Sequence, residues 1–187
     1  MTALAPTDQS RPVPPVLPVL AVARWPESDV DTVEALPPIA GFVLSAFNPL
    51  VAELAERCLR AHYGQAPADP VRGARTAVVL ASARGDVTTT RAVTEALAAG
   101  RRVPPLLFFQ SNPNAVLGHV AARWGLAGPV VCTSPTGDPM ADALACAALL
   151  FTAGEADEAL VLTADLATGH GEPDQGAAVL VTAMGRP

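Results

Sequence analysis

The chain has 187 residues, enough for one domain that buries a core of its own without help from disulfides or metals. A formal net charge of -6, with arginine supplying all twelve basic residues, argues against nucleic acid or an anionic membrane surface as a partner. Half of the residues are hydrophobic, yet Pro, Gly and charged residues interrupt each run before it reaches the roughly 20 apolar residues that a helical membrane span needs.

Residues 1–15, with Asp8, Pro12, Pro14 and Pro15, read as a polar disordered arm that does not resemble a signal peptide, so a cytoplasmic protein is expected. From Val16 to Ala23 the run VLPVLAVA predicts a first strand that Pro18 either pushes to a sheet edge or confines to pairing through its second half. An irregular Pro-rich connection follows. Asn48-Pro49 then reads as a cap and first residue of a helix that runs to Tyr63 before Gly64, with Leu50, Leu54 and Cys58 on its buried face. TAVVLAS, Thr76–Ser82, is a buried strand, and a helix is predicted over 88–99.

The segment RRVPPLLFFQS reads as a loop leading to a helix capped at Asn112-Pro113 and ending near Trp124-Gly125. PVVCTS is the next strand. A turn at Pro135–Gly137 leads to Asp138 as N-cap and Pro139 as the first residue of a helix that ends near Ala153. Glu158–Ala164 and Gly176–Ala183 complete the pattern as strands. Apolar strands alternating with helices predict a layered α/β domain over 16–187, its sheet covered by helices on both faces.

The three cysteines, Cys58, Cys132 and Cys146, form no CxxC pair, and His62, His119 and His170 have no ligand spacing, so neither a metal nor a cofactor is expected. Cys58 and Cys146 read as buried, inert thiols within helices.

FFQSNPNAVLGHVAARWGLAGPVV, then GDPMADALACAALLFTAGEADEALVLTAD and QGAAVLVTA, resembles the N-terminal half of β-ketoacyl synthases, which have the thiolase fold. The likeness extends over about 76–183 and more loosely over 16–75. It implies half of a thiolase-like fold. Counting forward from Gly128-Pro129, and backward from Gly154-Glu155-Ala156-Asp157, brings the family's nucleophilic cysteine onto Gly137 both times. The family's two catalytic histidines belong to a second half, and none of the three histidines here takes their place.

Glycine offers no atom to acylate, so the resemblance implies a pseudoenzyme. The expected role is that of a chain-length-factor-like subunit, pairing with a full-length β-ketoacyl synthase in polyketide or fatty-acid-type polyene biosynthesis and meeting acyl carrier protein only indirectly. In the family, the segment matching FFQSN lies by the dimer interface and acyl pocket, and the strand matching PVVCTS pairs across the dimer axis. The resemblance therefore implies a pocket or interface role for Phe108, Phe109, Gln110, Ser111 and Asn112, and for Cys132, Thr133, Ser134, Pro135, Thr136, Gly137 and Met140. Phe108 and Phe109 are open between that role and the core, and Asn112 and Asp138 are first of all caps.

Two other readings stand beside this one. A divergent acyltransferase or thioester hydrolase would use Cys132 or Ser134, although strand alternation makes Cys132 a small buried residue and no base is identifiable for Ser134 or Thr136. A docking scaffold for acyl carrier protein is the third, against which the acidic charge weighs. Half of a two-part fold is also expected to expose an apolar face that a partner or self-association covers.

Overall fold

The structure is a computed structural model describing residues 15–167 and 173–184; apart from Pro15, the arm expected at 1–15 lies outside these residues, as does His170. In chain order the elements are β1 (Val19–Trp25), α1 (Phe47–Tyr63), α2 (Pro70–Gly73), β2 (Thr76–Ala81), α3 (Val87–Ala98), α4 (Pro105–Gln110), α5 (Asn114–Trp124), β3 (Val130–Thr133), α6 (Pro139–Thr152), β4 (Glu158–Asp165) and β5 (Gln175–Thr182). The strands form one sheet in the order β1-β5-β4-β2-β3. β2, β3 and β4 are parallel, while β5 runs antiparallel to both β4 and β1.

Successive strand residues point to opposite faces, and the sequence assigns the two faces different sizes of side chain. Val78, Leu80, Leu160, Leu162 and Leu180 face α1 and α5, where they meet Phe47, Leu50, Leu54, Leu59 and Trp124. On the other face Ala77, Val79, Ala81, Ala159, Val161 and Val181 pack with Ala143 and Ala147 of α6. The expectation of a sheet covered on both faces is met, with α1 and α5 on one side and α6 on the other. Among the described residues no helix is long and apolar enough to cross a membrane.

Glycine lets the chain enter β3. A Cβ on Gly128 would lie 2.5 Å from the carbonyl oxygen of Thr76 and 2.9 Å from the Ala77 nitrogen, so the backbone leading into β3 is pressed against the start of β2. At the same end of the sheet Glu158 is buried and accepts hydrogen bonds from Tyr63 and Arg72, and it joins α1, α2 and β4. Burial, followed by the bond to Glu158, pushes the Tyr63 hydroxyl up to about 12.

Two local expectations are corrected. Asn48 is not the cap of α1, which starts two residues earlier, after Ala46; the first N–H, of Phe47, is answered by Ser45 Oγ at 3.1 Å. Residues 105–110 form the short helix α4, because Pro105 is well suited to a first helical position and its C-terminal Gln110 is anchored by distant partners.

Candidate functional site: the turn before α6 and the surface of α4

The parallel strands β2, β3 and β4 end along one margin of the sheet, where open α/β sheets hold their ligands. The chain leaves β3 there through Ser134 and Pro135 and turns into α6. Asp138 caps that helix as expected, its Oδ1 accepting the Ala141 N–H at 2.7 Å, with Pro139 first in the helix. Asp142, in the first turn, reaches back: its Oδ2 accepts the N–H groups of Thr136 at 2.7 Å and Gly137 at 3.1 Å. Asp142 is absent from the residues expected at this site, although an acidic residue four positions after a capping Asp is a legible helix-start signal.

Ser134, Thr136, Gly137 and Asp138 are exposed, and Pro135 and Met140 are half-buried. Gly137 does not share the positive φ of Gly125 or Gly154, so turn geometry does not demand glycine at this position. Thr133 Oγ1 donates to the Ser134 carbonyl at 3.5 Å, a local bond of the kind expected in this stretch. Among the described residues no hydrogen bond links Ser134 Oγ to a histidine or carboxylate. His119 stacks edge-on against Phe42, and His62 sits beside Tyr63 and Arg72.

Cys132 pairs in register with Leu80 and packs against the α1/α5 core, whereas Val131 and Met140 pack toward α6. Its thiol therefore lies on the opposite sheet face from the α6 helix, and burial pushes its pKa up. Burial pushes Cys58 up to about 11 and raises Cys146 as well, so burial disfavours the thiolate form at all three cysteines. Cys58 is fully buried, as expected; Cys146 is only half-buried on α6. Among the described residues no three His, Cys, Asp or Glu side chains come together as metal ligands.

The other predicted cluster divides in two. Phe108 and Phe109 are 73% and 60% exposed, which settles them on the surface rather than in the core. They line an open groove with Phe42, Ala115, Gly118 and His119. Gln110 is instead fully buried and corrects the expectation of a lining residue. Its Oε1 accepts the Val43 N–H at 2.8 Å, and its Nε2 donates to the Val43 carbonyl and, at 2.8 Å, to Thr89 Oγ1. Asp86 caps α3 through Thr89 N and accepts from Asn48 Nδ2 at 3.0 Å. This buried chain of Asn48, Asp86, Thr89 and Gln110 ties α1, α3 and α4 together and holds the two phenylalanines outward. Nothing in local sequence marks it, since its members are scattered along the chain.

Asn112 Oδ1 accepts the Asn114 N–H at 3.0 Å in the turn before α5, but the cap position of that helix is Pro113 and not Asn112 as expected, because the helix starts one residue later, at Asn114; Ser111 Oγ donates to the Phe108 carbonyl at 2.8 Å. α5, started by that turn, packs against both α4 and β3. β3 itself is an edge strand, bonded only to β2 among the described residues, with Val130 exposed.

The model of the β-ketoacyl synthase N-terminal domain matches residues 20–170, from β1 through the end of β4. The chain belongs to that family. Among solved structures, a ketosynthase in complex with its chain length factor from Xenorhabdus doucetiae is 18% identical, with a TM-score of 0.63 over 81% of this chain and 63% of that one. The ishigamide ketosynthase/chain length factor is 19% identical, with a TM-score of 0.64 over 83% and 48%. A β-ketoacyl synthase from Burkholderia phymatum STM815 is also 19% identical, with a TM-score of 0.61 over 89% and 52%. The chain thus spans between about half and two thirds of the length of these structures, and it shares with them the thiolase-like fold. None of the curated proteins matches. For this member of the ketosynthase family, the turn at 134–138 falls inside the matched region and carries no side chain at residue 137.

Proposed function

We propose that this chain is a non-catalytic, chain-length-factor-like subunit that pairs with an active β-ketoacyl synthase and shapes the pocket into which the growing acyl chain extends. The observation that carries the reading is the turn at the head of α6, where the capped helix and strand are retained and residue 137 is an exposed glycine. No acyl group is transferred to a position with no side chain. Two surfaces support pairing: the edge of β3, which bonds only to β2 among the described residues and so suits strand addition, and the exposed Phe108 and Phe109 on α4. Both lie beside α5. That neighbouring structures are ketosynthases held with chain length factors supports a ketosynthase as the partner. Polyketide or fatty-acid-type polyene biosynthesis is the pathway class this implies.

Co-expression with a full-length β-ketoacyl synthase from the same source tests the proposal. A one-to-one complex is expected, with product chain length altered by Phe108→Ala or Phe109→Ala. A chain that neither binds the enzyme nor changes its products overturns it. Acyl-thioester treatment followed by intact-mass measurement is expected to leave the isolated chain unmodified; a stable adduct on Cys132 or Ser134 would favour the acyltransferase reading instead.

A further inference from the structure

The turn that carries Gly137 is closed by a carboxylate of its own helix. Asp142 Oδ2 takes the backbone N–H of Thr136, the N–H of Gly137 and, at 3.3 Å, the Thr136 hydroxyl. A backbone N–H has a single hydrogen to donate, so the donor of residue 137 is committed. Asp138, four residues earlier on the same helical face, places a second carboxylate at this end.

We propose that Asp142 disables the turn independently of the missing side chain: it fills the Gly137 donor with negative charge, so that neither an acyl oxygen nor a thiolate is stabilised at this turn. The inference rests on reading residue 137 as the vacant nucleophile position. Glycine and Asp142 are then two separate locks. A side chain at 137 is compatible with the backbone, because φ there is not in the left-handed region. A thiol placed on that residue would sit roughly 5 Å from the Asp142 carboxylate, close enough for a like charge to disfavour its ionised form.

The test compares Gly137→Cys with the double variant Gly137→Cys/Asp142→Asn in the full chain. Iodoacetamide alkylation of the introduced thiol is followed against pH by peptide mapping. In the single variant the thiol is expected to titrate at or above the ordinary value of about 8.5. Asp142→Asn keeps an acceptor oxygen but removes the charge, and is expected to speed alkylation at pH 7 by about tenfold or more. A single variant whose thiol titrates below the ordinary value, or identical profiles in the two variants, overturns the proposal.

Amide exchange provides a readout that needs no cysteine. In the otherwise unaltered chain, Asp142→Ala is expected to accelerate exchange at Thr136 and Gly137 at least tenfold relative to the Ala141 amide, and unchanged exchange refutes the contact. Neither measurement involves a ketosynthase, so failure to find a partner and failure of this inference are separate results.

Discussion

The two faces of the sheet are built on different plans. Against α1 and α5 the strands present leucine and valine, and the helices answer with Phe47, Leu50, Leu54, Leu59 and Trp124, all fully buried. Against α6 they present alanine and valine, answered chiefly by Ala143 and Ala147. Alanine lets α6 approach the sheet closely but leaves its outer side uncovered: Leu149 is 70% exposed, and Leu144, Cys146 and Leu150 are half-buried. On the sheet beyond α6, Val22 of β1 is 50% exposed beside Val179. One face is thus a finished core, while the other carries an apolar outer layer suited to contact with further protein.

The same substitution on the two faces gives the sharpest test. Leu54→Ala empties a fully buried site and is expected to cost about 2–5 kcal/mol, whereas Leu149→Ala should stay within about 0.5 kcal/mol. Urea unfolding of both variants measures the gap, and equal losses would mean that α6 is covered in the isolated chain. Next in size is Ala147→Leu. The side chain of Ala147 is fully buried between α6 and the sheet, so enlargement is expected to cost about 1–3 kcal/mol by pushing the helix outward. A neutral result would show that the thin face has slack.

The smallest effect concerns how the thick face is fastened. Glu56 on α1 accepts from Arg123 at 2.9 and 3.2 Å and from Trp124 Nε1 at 3.0 Å, which joins α1 to α5. The Arg123 bonds, opposed by burial and aided by Arg60 and Trp124, hold its carboxyl down at about 2. A carboxyl depressed in the folded state stabilises above its ordinary range near 4.5 and loses that contribution as pH falls toward 2. Because Arg123 and Arg60 are mostly exposed, the contribution is about 1 kcal/mol. Glu56→Gln is therefore expected to be less stable than the parent at pH 7, with the difference closing between about pH 5 and 2 in urea midpoints and shrinking in high salt.

Most element positions were legible in the sequence because their causes are local. α6 begins at Pro139 after Asp138, as read, since a capping carboxylate and a first-position proline act on the next turn alone. β1 starts only after Pro18 for an equally local reason, since proline has no N–H to give to a strand ladder. α4 was not legible. Its two leading prolines suggest a loop, and at six residues it is too short to hold itself; Val43 and Thr89 secure it through Gln110. Asn48 misled in the same way, because its partner Asp86 is remote in sequence.

The sequence by itself determined the alternation of strands and helices, the split of large and small side chains between the two faces, and the glycine at residue 137. These follow from periodicity, caps and residue identity, which need no knowledge of distant neighbours. Only the tertiary structure decided that β3 stands at the edge, that Phe108 and Phe109 point outward while Gln110 is buried, and that Asp142 closes the turn before α6. Strand order and buried hydrogen bonds depend on which distant segments meet. That choice is made by the packing of the whole chain, not by any one stretch of it.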